Sequence, residues 1–88
     1  MNTIKIKRVS SIDINKIFEF ELNLEGTEKQ FEYAVSIIQD RFSKTEFISQ
    51  NLIQSGKITK DEYYDGMDRF IKALESITSA KYVIEHVH

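Results

Sequence analysis

The chain has 88 residues, of which 41% are hydrophobic and 30% charged, a composition typical of a folded domain rather than a disordered one. The net charge of −2 is too small to attract charged partners strongly, and it is unlike the positive charge of a dedicated nucleic-acid binder. The lack of cysteine excludes disulfides and thiolate chemistry. We find no apolar run of about 18 residues and no signal-peptide pattern, so we expect a cytoplasmic protein that does not contact membranes.

Apolar and polar side chains alternate over residues 3–24, which is the period of strands with one buried face. We predict a first strand over residues 3–14, a three-residue turn at 15–17 and a returning second strand. This turn pairs Ile14 with Phe18 and keeps the apolar side chains of both strands on one face.

The predicted register also determines the pairs on the solvent face of the hairpin. Asp13 lies opposite Glu19, which is a like-charge pair, and Lys7 lies opposite Glu25, which is a favourable one. A turn at residues 10–11 is the alternative that this pattern leaves open.

Three capping boxes, each a Ser or Thr followed three residues later by Gln or Glu, predict where helices begin. They start at Thr27, Ser43 and Thr59, so we predict helices over 28–42, from Ser43 to Gly56, and from Thr59 onward. The apolar stripe of the first helix comprises Phe31, Ala34, Val35, Ile38 and Phe42, and that of the third comprises Tyr63, Met67, Phe70, Leu74 and Ile77. The second helix contains Phe47, Ile48, Leu52 and Ile53, and Gly66 in the third indicates either close packing or a tolerant exposed position.

Residues 82–87 are rich in β-branched and aromatic side chains, which predicts a third strand. The expected order is therefore ββαααβ, an α+β fold in which a small antiparallel or mixed sheet packs on a helical layer. We expect one domain over residues 1–88, divided into a β-hairpin (1–25), helices (27–78) and a C-terminal strand (81–88).

Residues 47–74 read as two helices joined by a short turn, with a characteristic set of residues around that turn: Leu52, Gly56, Ile58, Thr59, Glu62 and Tyr63. At these positions the segment resembles the helical hairpin of the short C-terminal domain family, which occurs as an appendage on bacterial and phage proteins. The resemblance covers about a third of the chain and implies interaction or assembly rather than catalysis.

The two histidines, His86 and His88, are the strongest candidates for a metal site, because alternate residues of a strand share a face. Without a third ligand they are more typical of a solvent-exposed chain end. The sequence also lacks a glycine-rich loop and any pairing of a nucleophile with a base. We therefore expect no metal, no cofactor and no enzymatic activity.

Acidic residues form two candidate contact surfaces for a partner. Asp61, Asp65 and Asp68 share one face of the third helix. The solvent face of the second strand carries Glu19, Glu21 and Glu25. These carboxylates could meet a basic partner or mimic DNA phosphates, although nearby lysines and arginines make an ordinary solvated face the commoner interpretation.

Lys5, Lys7 and Arg8 form the basic cluster of the chain and could touch a nucleic-acid backbone. The commoner role of such lysines is to protect an edge strand from aggregation. Tyr64, adjacent to the core position Tyr63, and Tyr33 are candidates for exposed aromatic anchors at an interface.

The leading hypothesis is a small non-enzymatic protein-protein interaction module that binds a host protein or associates with itself as a homodimer. The 13 isoleucines of the chain, with no proline or tryptophan, are consistent with an AT-rich gene, as in many phages and low-GC bacteria. We expect such a module to be a regulator or inhibitor encoded by a phage or mobile element. The alternative is a nucleic-acid-associated protein. In that case either the basic strand contacts phosphates, or the acidic residues mimic DNA phosphates and bind a DNA-binding protein.

Overall fold

The computed structural model describes residues 2–87 and contains two antiparallel strands followed by three helices. The predicted α+β class is confirmed, with the order ββααα. No helix in the described part of the chain has the length and apolar character needed to span a bilayer. The elements are β1 (Asn2–Val9), β2 (Ile17–Leu24), α1 (Glu28–Gln54), α2 (Lys60–Glu75) and α3 (Ala80–His86).

The hairpin strands pair in a different register from the predicted one. Lys7 lies opposite Glu19 and Lys5 opposite Glu21, and residues 10–16 form the connecting loop in place of a turn at 15–17. The predicted strand was therefore too long, and the loop begins where the alternative turn was placed. The observed register replaces the like-charge pair of the predicted one with two lysine–glutamate pairs, and it still buries one face of each strand.

The predicted helix break at Ser43 is wrong, because α1 continues through it for 27 residues. No glycine or proline interrupts residues 28–54, so the main-chain hydrogen bonds of the helix have no reason to stop there. The two other capping boxes form as predicted, with the side chains of Thr27 and Thr59 each accepting from the backbone N–H three residues later.

The predicted C-terminal strand is also wrong, since residues 80–86 form α3. The Ser79 side chain caps this helix by accepting from the Tyr82 N–H at 3.2 Å. Ala80 and Val83, one turn apart, are both fully buried, so tertiary packing overrides the strand preference of the β-branched residues. Just before α3, Ser79 forms an isolated parallel β-bridge with Glu25, at the end of β2.

Helices α1 and α2 cover the inner face of the hairpin, and aromatic rings fill the space between the layers. Phe42 of α1 stacks on Phe20 of β2 with ring centroids 5.8 Å apart and meets the edge of Phe18 at the same distance. Tyr63 of α2 also packs against Phe18, with ring centroids 6.0 Å apart in an edge-to-face arrangement. The predicted core stripe of α1 therefore faces the sheet, and the opposite face of the hairpin is left to solvent.

Candidate protein-binding surface

The outer face of the hairpin carries the predicted lysines and glutamates as neighbours. Lys5 lies opposite Glu21 and Lys7 lies opposite Glu19. The two lysines and Glu19 are exposed and Glu21 is half-buried. Because each lysine faces a carboxylate across the ladder, this face consists of alternating charges rather than a positive surface.

Arg8 lies on the other side of the strand and does not join the two lysines. Its guanidinium donates to the Ser43 hydroxyl at 2.8 Å and lies 5.1 Å from the centre of the Phe42 ring. The three cations of the predicted nucleic-acid surface are therefore divided between two faces. Arg8 instead fastens the end of β1 to the middle of α1.

The two edges of the hairpin differ in what covers them. On the β2 edge, the Glu21 N–H donates to the Glu75 side chain at 3.0 Å. Further along the same edge, the Glu25 N–H donates to the Thr78 carbonyl and the Ala80 N–H donates to the Glu25 carbonyl. On the β1 edge, no strand pairs with β1 within residues 2–87.

The backbone of β1 directs half of its polar groups toward this uncovered edge. The Glu21 N–H points away from β1, and Glu21 lies opposite Lys5. In an antiparallel ladder, two such opposed residues both point their N–H and C=O groups away from each other. Lys5 and its alternate neighbours Thr3, Lys7 and Val9 therefore present their backbone groups to what we call the open edge of β1.

Apolar side chains lie at the end of the open edge that is nearest the loop. Val9 and Ile17 lie opposite each other on the outer face and are each 58% exposed. Phe47 of α1 is 65% exposed and, together with Val9 and Arg8, lines a shallow depression of about 270 Å³. The sequence reasoning did not identify this end of the surface.

A buried polar cluster fixes the loop that follows β1. The Tyr63 hydroxyl donates to the Glu46 carboxylate, with distances of 2.7 and 2.8 Å to its two oxygens. The Ser11 hydroxyl donates to the same carboxylate at 2.8 Å, and Ser10 Oγ lies 2.6 Å from the Tyr63 oxygen. Ser10 Oγ in turn accepts from the N–H groups of residues 12 and 13. The loop is thus connected through one chain of hydrogen bonds to both α1 and α2.

The environment of Tyr63 makes it a hydrogen-bond donor that does not readily ionise. Burial, reinforced by the Glu46 carboxylate, raises the pKa of the Tyr63 hydroxyl well above its usual range, although the bond with Ser10 acts in the opposite direction. A hydroxyl that keeps its proton can satisfy a buried carboxylate at any physiological pH. The cluster therefore holds the loop after β1 against α1 and α2.

This arrangement predicts a loss of stability in alkaline solution. The pKa of Tyr63 is higher in the folded state than its ordinary value of 10.0, so its stabilising contribution is complete below that pH and is lost as the pH rises above it. We expect the free energy of unfolding, measured with urea between about pH 9 and pH 11, to fall more steeply for the natural chain than for Tyr63→Phe. Equal slopes would show that Tyr63 ionises as easily in the folded protein as in the unfolded one.

Tyr64 holds the same loop from its other side. Its hydroxyl donates to the Asp13 carboxylate at 2.7 Å, and the side chain is half-buried. This bond, followed in importance by the one from the Asn15 N–H, holds the pKa of Asp13 below its ordinary value. Tyr64 therefore serves the loop, whereas Tyr33 is 59% exposed on α1.

The two predicted acidic surfaces lie on opposite sides of the molecule. Asp61, Asp65 and Asp68 are exposed on the side of α2 that faces away from the core, and the buried residues of α2 occupy its other side. Glu19 and Glu21 belong to the outer face of the hairpin, which is the far surface of the other layer. The structure does not bring these carboxylates together.

The prediction that His86 and His88 share one face assumed a strand, whereas His86 is the last residue of helix α3. The ring of His86 packs against that of Tyr82 with centroids 4.7 Å apart, and its Nε2 lies 3.9 Å from the Glu85 carboxylate. His88 is outside the described residues. Within residues 2–87, no three histidine or carboxylate side chains are grouped so that they could hold a metal ion.

Comparison with known proteins does not assign the chain to a family. Residues 47–74 do contain two helices joined by a short turn. Helix α1 ends at Gln54, Gly56 follows with a φ of 75°, and Thr59 caps the start of α2. Their resemblance to the short C-terminal domain family stays a prediction. No family model matches the chain, and no curated protein or solved structure is significantly similar to it.

Proposed function

We propose that this chain is a small non-enzymatic protein-interaction module that binds an extended, acidic segment of a partner protein at the open edge of β1. The observation that carries the proposal is the difference between the two edges of the hairpin. The β2 edge is occupied by Glu75 and residues 78–80, whereas the backbone groups of β1 on the other edge are available for an added strand. Addition of a strand to a sheet edge is a common mode of peptide recognition.

The charges next to the open edge favour an acidic partner strand. Lys5 and Lys7 are two residues apart and therefore project from the same face of β1. In β2, Glu21 and Glu19 already lie opposite the two lysines. An added strand with carboxylates at alternate positions would repeat this pairing on the other edge of β1. By contrast, antiparallel pairing of two β1 strands would place lysines near lysines, which protects this edge from self-association.

The apolar end of the edge supports the same mode of binding. Val9, Ile17 and Phe47 lie beyond the lysines and are more than half exposed. A partner segment with acidic residues along the strand and one large apolar residue near Val9 would match both features. Such a module acts by occupying a partner, and so as a regulator or inhibitor, rather than by chemistry of its own.

The test uses synthetic peptides about as long as β1, which has eight residues. A labelled peptide of alternating threonine and glutamate is expected to bind in low salt, as measured by fluorescence anisotropy, and one of threonine and lysine is not. Reversing both charges, Lys5→Glu with Lys7→Glu, should weaken binding of the glutamate peptide about tenfold or more and favour the lysine peptide. The control, Lys57→Glu with Lys72→Glu, makes the same change at exposed sites in the loop before α2 and on α2, and should have little effect.

The backbone contribution is tested separately with N-methylated peptides. Because alternate residues of an added strand point their N–H groups to opposite edges, methylation of one alternate set should abolish binding and methylation of the other set should not. Equal effects of the two sets, or no binding of the glutamate peptide, would overturn the proposal. A salt-sensitive shift of duplex DNA that requires Lys5 and Lys7 would replace the protein partner with nucleic acid.

A further inference from the structure

A second exposed surface runs along α1 on the side that faces away from the core. It follows a regular spacing of four and three residues, which keeps side chains on one face of a helix. Its aromatic members are well exposed, at 59% for Tyr33 and 65% for Phe47. We call this set the α1 stripe, and it comprises Tyr33, Ile37, Asp40, Lys44, Phe47 and Asn51.

Within the described residues the members of the α1 stripe are exposed, except Ile37, which is half-buried at the margin of the core. Two shallow depressions, of about 350 and 400 Å³, lie along it and are lined by side chains of α1 alone. The middle of the stripe carries an ion pair, with Lys44 Nζ 3.0 Å from Asp40 Oδ2 and both side chains more than half exposed. The stripe therefore has apolar groups toward its ends and opposite charges at its centre.

The order of these residues makes the stripe complementary to itself in the antiparallel direction. If a two-fold axis crosses α1 at the level of Phe42, Asp40 of one copy lies opposite Lys44 of the other, and the reverse pair repeats the contact. In the same register Ile37 lies opposite Phe47. Tyr33 lies opposite Asn51, whose amide can hydrogen-bond the tyrosine hydroxyl.

Other arrangements of two α1 helices do not give this match. In a parallel pair in register, Asp40 would face Asp40 and Lys44 would face Lys44, which is unfavourable. A shift of the antiparallel pair by one heptad would place Asp40 against Ile37 or Lys44 against Phe47. The charges therefore select one orientation and one register.

We propose that two copies of this chain form a homodimer through antiparallel pairing of their α1 stripes. The contact is isologous, buries Phe47 and Ile37 of both copies, and converts the exposed Asp40–Lys44 pairs into a network of four charges across the axis. It shares Phe47 with the apolar end of the open edge. It uses neither the backbone of β1 nor Lys5 and Lys7, so the two proposals are tested by different variants.

Sedimentation equilibrium of the full chain, at concentrations up to about 1 mM, tests this proposal. Asp40→Lys and Lys44→Asp should each weaken the dimer about tenfold or more, because each places like charges opposite each other twice. An equimolar mixture of the two variants should restore dimers, since every lysine then faces an aspartate of the other variant. Neither variant alone contains the ion pair within its own helix, so recovery in the mixture reports contacts between chains.

Asp68→Lys on α2 is the matched control, because it makes the same charge change at an exposed helical site outside the stripe and should leave the dimer unchanged. Circular dichroism establishes that each variant is folded. A natural chain that stays monomeric throughout, a dimer insensitive to both stripe variants, or a mixture that stays monomeric would each overturn the proposal. Lys5→Glu with Lys7→Glu should leave dimerisation intact, so failure of the dimer is distinguishable from failure of the open edge.

Discussion

Replacing Glu46 with alanine is expected to lower the free energy of unfolding by about 2 to 3 kcal/mol. The change removes the acceptor of the bonds from the Tyr63 and Ser11 hydroxyls, and hydrogen bonds to charged groups are the stronger kind. The Tyr63 side chain is 2% exposed, so its hydroxyl loses this acceptor in a largely buried environment. Urea unfolding followed by circular dichroism at neutral pH measures the loss.

A double-mutant cycle separates this contact from the general cost of altering the core. Tyr63→Phe should lose about 2 to 3 kcal/mol, because it leaves the Glu46 carboxylate buried without its main donor. Combined with Glu46→Ala it should lose about 1 to 3 kcal/mol less than the two single changes added together, because both polar partners are then gone. Additive losses would contradict the role given to the cluster. Tyr64→Phe, which removes a hydroxyl bonded at the surface of the loop, is the control with the smaller loss.

The second large effect is expected at Gly26, where β2 ends and α1 begins. Its φ of +147° is unfavourable for any residue with a side chain. A Cβ added there would lie 2.9 Å from Gln30 Oε1 and 3.1 Å from the Cβ of Ala80. The Gln30 oxygen accepts from the Thr27 N–H, so moving it breaks the cap of α1. Gly26→Ala should therefore lower the free energy of unfolding by about 2 to 3 kcal/mol.

Gly66→Ala is the matched control for this change, since a Cβ at Gly66 meets no atom within 4 Å. It should raise the free energy of unfolding by about 1 kcal/mol, because alanine favours a helix interior more than glycine does. Of the two interpretations of Gly66 that the sequence left open, the structure supports the tolerant position. Thermal unfolding of both variants gives opposite shifts in Tm, and a stabilising Gly26→Ala would contradict the strain argued at that junction.

The features that were correctly predicted depend on residues close in sequence. The caps at Thr27 and Thr59 each need a side chain and a backbone N–H three residues later, so the sequence contains the whole interaction. The same local signal at Ser43 does not produce a cap, because a capping box marks a helix start only where the preceding helix has a reason to end. Residues 28–54 provide none.

The features that were wrongly predicted depend on contacts distant in sequence. The hairpin register follows lysine–glutamate pairs and a loop that is held by Tyr63, more than 50 residues from Ser10. Residues 82–86 become helical because Val83 is buried in the core, and no local preference encodes that contact. Propensity alone could not identify either result.

The α1 stripe escaped sequence reasoning because of the false helix break. With a new helix starting at Ser43, Phe47 and Ile48 could be assigned to a separate buried face. Once α1 is continuous, the core side continues from Phe42 to the buried Glu46, and Phe47 and Ile48 point to solvent. The wrongly predicted helix break therefore concealed that these two large apolar residues lie on the exposed side of one long helix.

The contact of Arg8 with Ser43 determines where the open edge of β1 lies along α1. Since Ser43 is near the middle of the helix, the apolar end of that edge would lie close to the two-fold axis of an α1 dimer. Each copy would contribute one such edge. Such a dimer would be a bivalent receptor, and a partner with two acidic segments joined by a linker of suitable length would bind it with avidity beyond the affinity of either edge alone.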